Sequence, residues 1–400
     1  MVDFNPISLA LLTLLLAIIL FLCYIDYRRK RVLGEKPFLS FIIPCYNDGA
    51  TIKETIESIY HSYDKSLFEI IVVNDGSSDN SLEILKKIRE RYAFTLINNK
   101  ENLGKSRSVN NVFTLAKSEM LFFLDADVII AREGVTDVLA RLQEENVAAV
   151  SCPYKPRNKG FLPLMLEMEY NMISLIQGSY NCYSTIALWG GCFVVKKRIF
   201  EEVHALSENA IVEDLDLALK LNRAGYKVEE SFYPVLTYVP DTLTSWYHQK
   251  KRWSSGGMQC FIEYFDVWRK NPLLVIFIVL FSILSISFIF SLLKEILFFN
   301  GVIESYQLLA NATTTLLSFK ILGLYYGAQI VKNLAIALYF TIFSFPYIVP
   351  MITHFKQMYR IILVFPFSLL YYPLLSLVSI YGFIIGIIKY RSLKKGGRAW

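Results

Sequence analysis

Charge is scarce in this sequence of 400 residues: Asp, Glu, Lys and Arg make up 19% of it, against 54% hydrophobic residues. So little charge with so many apolar side chains excludes a disordered chain and points to segments that lie in lipid. Repeats of 20 to 50 residues are absent, which excludes solenoids and propellers. The six cysteines, at 23, 45, 152, 182, 192 and 260, form no Cys-x-x-Cys pair and have no histidine at zinc spacing. Neither a disulfide framework nor a zinc site is expected, and the bulk of the chain should face a reducing cytosol. No Gly-x-Gly-x-x-Gly follows the first strand-like run, and no Gly-Lys-Ser/Thr loop exists, so a dinucleotide fold and a P-loop are both disfavoured. The net charge of +6 gathers beside apolar segments, where the positive-inside rule accounts for it, and no nucleic-acid partner is expected.

Long apolar runs are present. Residues 4–25 carry no charge and are followed by Arg28, Arg29, Lys30 and Arg31, the pattern of a retained anchor with its amino terminus outside. Three further uncharged runs span 271–293, 333–353 and 361–388, the last interrupted by Pro366 and Pro373. Three crossings would leave the tail outside, yet Lys389, Arg391, Lys394, Lys395 and Arg398 assign it to the cytosol. Either part of the last run lies in the interface or a weaker segment near 316–330 also crosses. The expected division is an anchor with basic flank (1–35), a cytosolic domain (36–270) and a membrane region with basic tail (271–400), in a multi-pass protein of the cell membrane.

Within 36–270, short apolar runs at 38–43, 68–73, 94–97 and 120–124 alternate with helical patterns, which predicts an α/β domain with a mostly parallel sheet. Thr51 with Glu54 reads as a capping box, and Asp79 or Asn80 as the cap of the next helix. Ligands of such sheets sit beyond the carboxyl ends of the strands. There the sequence places Tyr46 and Asp48, then Asp75 in Asn-Asp-Gly-Ser, then Asp125 and Asp127 in Asp-Ala-Asp. Two carboxylates two residues apart on an extended segment suit Mg or Mn together with a diphosphate. Each motif taken alone is also what an ordinary turn looks like. Glu213, Asp214 and Asp216 open a further helix, where a carboxylate can be no more than a favourable first-turn charge. Gln249 to Trp253, beside Trp246, Tyr247 and His248, reads as a basic aromatic helix on a membrane surface. Residues 161–177 are either another interfacial helix or a buried core helix.

In this order, Pro-x-Tyr-Asn, Asn-Asp-Gly-Ser, Asp-Ala-Asp, Glu-Asp and Gln-x-x-Arg-Trp resemble the membrane-embedded glycosyltransferases of family 2, from about Phe38 to Trp253. The likeness is greatest to the processive branch of poly-N-acetylglucosamine, hyaluronan and cellulose synthases, and the tail from Lys394 to Trp400 is similar to the first group. One leading helix instead of two is a departure from that group. The resemblance implies a nucleotide-sugar-binding domain of GT-A type, flanked by transmembrane and interfacial helices. It further implies a hexosyltransferase that moves N-acetylglucosamine or glucose from a UDP-sugar to a growing polysaccharide with inversion, and helps the polymer across the bilayer. By the same resemblance Tyr46, Asp48, Asp75, Lys105 and Asp125 contact the donor nucleotide, Asp127 with Asp125 holds Mg or Mn, and Asp214 is the general base. Gln249, Arg252 and Trp253 serve the diphosphate and acceptor, and Gly191, Cys192 and Glu213 border the acceptor. Accessory membrane or export subunits are compatible with it. A ceramide glucosyltransferase-like enzyme, adding one sugar to a lipid, shares this chemistry, and a catalytically silent transporter or scaffold is the reading from a different class.

Overall fold

A computed structural model describes residues 6–29, 31–270 and 366–393. The chain divides into two compact units, Thr13–Val267 with Ser379–Trp400, and Met1–Leu12 with Trp268–Val378. In the second of these, the described residues include a turn of wide helix at Phe367–Tyr371, whose two end rings stack at 5.1 Å. The sheets and the cavity described below lie in the first unit.

The helices are α1 (Pro6–Arg28), α2 (Ile52–Ser62), α3 (Ser81–Ile88), α4 (Lys105–Val112), α5 (Arg132–Leu142), α6 (Phe161–Tyr180), α7 (Lys197–Glu202), α8 (Glu213–Arg223), α9 (Leu243–Glu263), α10 (Phe265–Arg269) and α11 (Tyr372–Leu393). The strands are β1 (Leu39–Cys45), β2 (Phe68–Asp75), β3 (Thr95–Asn99), β4 (Met120–Leu124), β5 (Val147–Ser151), β6 (Tyr154–Pro156), β7 (Cys192–Lys196), β8 (Lys227–Glu230) and β9 (Val235–Thr237). Seven strands form one sheet in the order β3-β2-β1-β4-β7-β5-β8, parallel except for β7, while β6 and β9 form a separate parallel pair. The α/β, mostly parallel expectation holds.

The runs that signal β1, β2 and β4 are continuous because both faces of the sheet are covered. Phe41, Ile43, Val72 and Phe122 enter one core beside α2 and α5, while Ile42, Ile71, Val73 and Phe123 enter the other beside α4 and α8. Alternate residues of each strand thus bury in opposite layers, and the polar residues are pushed to the strand ends. Helix starts differ in detail from the sequence reading. Thr51 makes no side-chain cap, since its hydroxyl donates to Asp48 O at 3.2 Å. Asp79, one residue before the cap position, accepts from Ser81 N at 2.9 Å.

The multi-pass membrane location requires correction: among the described residues no helix is long and apolar enough to cross a membrane. The end of α1 is engaged by protein. Cys23 donates to Leu175 O at 3.1 Å, and the fully buried Asp26 accepts from Asn181 at 2.9 Å and pairs with Arg141 at 3.1 Å and Arg31 at 2.8 Å. Arg31, expected as a membrane-flanking charge, also meets Glu144 and Glu229 and is almost wholly buried. The runs at 271–293 and 333–353, the segment at 316–330 and the tail from Lys394 lie outside the described residues, as do the first residues of the last run.

Helices expected at an interface are likewise packed in protein. In α6, Glu169 is buried and forms an ion pair at 2.9 Å with Lys250 of α9, itself 1% exposed, so this face of α6 packs in the core and Lys250 is no surface charge. A buried ammonium needs such a partner, because removal from water is costly and only a close counter-charge offsets it.

Candidate active site

The carboxyl end of β4, the turn before β7 and the starts of α4 and α8 meet at a cavity of about 360 Å³. Nine of the expected residues line it: Lys105, Asp125, Asp127, Gly191, Glu213, Asp214, Gln249, Arg252 and Trp253. Backbone geometry places them. Asp125 N donates to Gly191 O at 2.9 Å, which extends the β4–β7 pairing one step past its last register pair and holds Asp-Ala-Asp against the Gly190-Gly191 turn. Gly190 has no room for a side chain, since a Cβ there would sit 2.2 Å from Asp214 Oδ2.

Charge is arranged in a chain of opposites. Lys105 Nζ lies 2.7 Å from Asp125 Oδ1 and 3.4 Å from Glu213 Oε1, and donates to Gly190 O at 2.9 Å. Burial alone would lower the Lys105 ammonium, but Asp125 and Glu213 hold it above its ordinary range. Glu213 is kept below the usual carboxylate range: burial works against ionisation, and Lys105 and Arg252 overcome it. Its neighbour Asp214 goes the other way, pushed up to about 6 by burial and by the Glu213 carboxylate. Asp214 Oδ1 accepts from Leu215 N at 2.7 Å, which fixes the carboxylate at the first turn of α8. Asp127 is raised by burial and by Asp125, and accepts from the Thr237 hydroxyl at 2.9 Å.

Four expected residues lie outside the cavity wall. Tyr46 is exposed, and its N donates to Asp48 Oδ2 at 3.2 Å. Asp48 is pushed up to about 6, chiefly by burial, with further contributions from Asp127 and Asp125. Asp75 is buried and already accepts from Asn99 at 2.8 Å and from Leu103 N and Gly104 N, each at 2.9 Å. Its carboxylate thereby ties down the loop that delivers Lys105. The turn is tight: a Cβ on Gly76, at φ +65°, would come within 2.4 Å of the Glu101 backbone. Cys192 is fully buried in the sheet core.

Several lining residues escape the sequence reading. Tyr154 from β6 accepts from Gly191 N and packs its ring 4.7 Å from that of Trp189. Tyr170 from α6 lies 5.6 Å from Trp189 and 6.1 Å from Trp253, and the Lys250 ammonium sits 4.1 Å from the Trp253 ring. Trp189 Nε1 donates at 2.6 Å to Glu230 Oε2, a carboxyl that burial pushes up to about 8. One wall of the cavity is therefore charged and the opposite wall is aromatic. No group of three or more His, Cys, Asp or Glu among the described residues is arranged to hold a metal ion alone.

Residues 40–204 match the family described as Glycosyl transferase family 2. A poly-beta-1,6-N-acetyl-D-glucosamine synthase of Staphylococcus aureus is 29% identical over 262 residues, which are 64% of this chain and 63% of the relative. The Staphylococcus epidermidis protein of the same name is 28% identical over 258 residues, covering 63% and 62%. The match thus spans less than two thirds of the length of these relatives. In fold, the chain is similar to a mannosyltransferase from Pyrobaculum calidifontis solved in complex with GDP-Man and Mn2+, with a TM-score of 0.57 at 18% identity, over 96% of this chain and 98% of that one. Asp-Ala-Asp, Glu-Asp and Gln-x-x-Arg-Trp gather on one cavity of this α/β sheet, and residues 40–204 are similar to the glycosyl transferase family 2 domain.

Proposed function

We propose that this chain is an inverting hexosyltransferase that takes N-acetylglucosamine or glucose from a UDP-sugar and adds it to a growing polysaccharide. The observation that carries the reading is the gathering of Asp125, Asp127, Glu213, Asp214, Gln249, Arg252 and Trp253 on one cavity, with Lys105 between Asp125 and Glu213. Two adjacent carboxyls are driven in opposite directions, so that one stays ionised beside Lys105 and Arg252 while the other titrates near neutrality. Similarity to the poly-N-acetylglucosamine synthases supports the polymer product.

Asp214 is suited to take the proton from the acceptor hydroxyl as that oxygen attacks the anomeric carbon. The bond from that carbon to the diphosphate breaks on the opposite face, and UDP leaves with the electron pair. Lys105 and Arg252 face the departing charge, in a partly dry cleft where fixed cations act more strongly than in water. Gln249 offers a further hydrogen bond to the same group. The aromatic wall of Tyr154, Tyr170, Trp189 and Trp253 presents flat apolar faces of the kind on which a pyranose ring packs. Tyr46 and Asp48, beside the cavity, suit the nucleoside, and Asp75 serves it by fixing the loop before Lys105.

Asp125 and Asp127 fit a divalent cation: both present hard oxygen donors, and the crowding that lifts Asp127 and Asp48 is what a nearby dication relieves. Two carboxylates with substrate phosphate and water suffice for Mg or Mn, which when bound neutralises diphosphate charge. With the membrane location overturned, movement of product across a bilayer is not carried forward.

The test is incubation of purified protein with UDP-N-acetylglucosamine or UDP-glucose and Mg or Mn, measuring UDP release and product size. A ladder of saccharides is the expected result. A single sugar on an extractable lipid would replace the polymer by the lipid acceptor, and no UDP release from either donor would remove the reading.

A further inference from the structure

Two glycines in α11 stand where nothing in local conformation asks for them. Gly382 and Gly386 lie inside a helix of 22 residues, and each costs about 1 kcal/mol relative to alanine in a helix interior. Neither has a positive φ, so the reason lies outside the helix's own backbone. That reason is α9. A Cβ at Gly382 would stand 2.5 Å from Ser254 Cβ and 3.2 Å from Lys251 O; one at Gly386 would stand 2.5 Å from Ser255 O and 2.8 Å from Met258 Cβ. The two helices meet with backbone almost against backbone, and the Lys251 ammonium lies 5.5 Å from the Tyr381 ring along the same seam.

The opposite side of α9 faces the transfer site. Gln249, Arg252, Gly256 and Gln259 follow one another at helical spacing, and the first two line the cavity. Gly256 permits a second close approach, because a Cβ there would fall 2.2 Å from Val212 Cγ2. Gln259 Oε1 accepts from Ile211 N at 3.1 Å. Ile211 and Val212 lead directly into Glu213 and Asp214. α9 is thus held between α11 on one side and the entry to α8 on the other.

We infer that α11 is a positioning element for transfer: seated through Gly382 and Gly386, it sets how closely α9 brings Arg252 and Trp253 to the Asp214 carboxylate. The inference rests on the function proposed above. It assigns no catalytic role to Gly382, Gly386 or Ser254, which act only through the placement of α9. Geometric tolerance makes the effect measurable, since a displacement of about 1 Å at reacting groups can cost on the order of a hundredfold in rate.

The test is a double-mutant cycle with Gly382→Ala and Ser254→Gly. Gly382→Ala is expected to lower kcat about tenfold or more while donor KM changes less, within roughly threefold, because only the diphosphate contacts of Gln249 and Arg252 ride on α9 and the nucleoside side at Tyr46 and Asp48 does not. Ser254→Gly removes the atom that the new methyl meets, so the double variant should recover most of kcat and of Tm. Gly386→Ala meets a backbone oxygen, and Ser254→Gly should not rescue it. Unchanged kcat in Gly382→Ala, no rescue in the double variant, or a Tm restored while kcat stays low would each overturn the inference. If the wild type released no UDP, the functional reading would fall. The cycle read in Tm would still decide whether α11 seats on α9, and lack of coupling there would overturn the inference separately.

Discussion

Replacing Gly190 by alanine probes the transfer geometry with a single methyl group. The added Cβ would lie 2.2 Å from Asp214 Oδ2, 2.9 Å from its Cγ and 3.1 Å from its Cβ. Ordinary carbon–oxygen contact needs well over 3 Å, so the carboxylate and the turn must part by about 1 Å. Asp214 cannot swing aside freely, because Oδ1 is held by Leu215 N at 2.7 Å. Gly190 cannot retreat freely either, since its carbonyl accepts from Lys105 and its neighbour Gly191 is bonded to Asp125 N and the Tyr154 hydroxyl. A shift of about 1 Å at a reacting group costs on the order of a hundredfold in kcat, while overpacking at a site edge destabilises by about 1–3 kcal/mol. Gly190→Ala should therefore remain folded and bind UDP within a few fold of the wild type, yet turn over about a hundred times more slowly. UDP release gives kcat, titration calorimetry gives UDP affinity, and urea unfolding gives stability. A variant that keeps more than a third of wild-type kcat would refute the placement of Asp214 against the Gly190 turn as the determinant of transfer.

Activity should rise with pH through about 6, because the base works only when ionised, and Asp214→Asn should abolish transfer while UDP affinity stays within a few fold. Stability moves the other way: a folded-state value above the ordinary carboxylate range means that the stabilisation from this group is present below about pH 4 and lost as pH rises through 6. A flat profile between pH 5 and 7 (about one unit either side of that value) would reassign the base. Asp127→Ala should weaken UDP binding roughly tenfold with Mn or Mg and little in chelator, as measured by calorimetry; equal loss in both would point to damage of the fold. Arg141→Met leaves the buried Asp26 and Glu229 to share Arg31 alone, so urea unfolding should show a loss of about 3–5 kcal/mol, and a loss under about 1 kcal/mol would show the network to be dispensable.

The strand framework is legible because β1, β2 and β4 bury on both faces and so appear as unbroken apolar runs that stop where polar residues begin. Asp125, Asp127 and Asp214 are legible for the same reason, since carboxylates at element ends cannot belong to either core layer. Of the aromatic wall, Trp253 is legible through its motif and Tyr154 and Tyr170 are not. Tyr154 and Thr237 reach the cavity through two strands of three residues each, paired across 81 positions of sequence, and neither strand is long enough to show a period. Lys250 misleads for another reason. In a run of two lysines and an arginine it reads as solvated, and only its pairing with Glu169, 81 residues away, takes it indoors. Asp75 shows that a motif can be found without its structural duty being foreseen: the carboxylate also accepts from Asn99, Leu103 and Gly104.

The charges around the cavity give the reason for proposing Asp214, and not its neighbour, as the base. Lys105 reaches both Asp125 and Glu213, and Glu213 also feels Arg252, so Glu213 keeps its charge despite burial. Asp214 lies next to that fixed negative charge, which weighs more on it than either cation does: burial comes first, then Glu213, and only then Lys105 and Arg252. Two carboxyls one residue apart at a helix start would otherwise share the favourable dipole equally. Lys105 breaks that equality, and α4 can present it there because Asp75 fastens the preceding loop. The strand-end aspartate of β2, which touches no part of the cavity wall, thus helps determine which carboxylate beyond it can accept a proton near neutral pH.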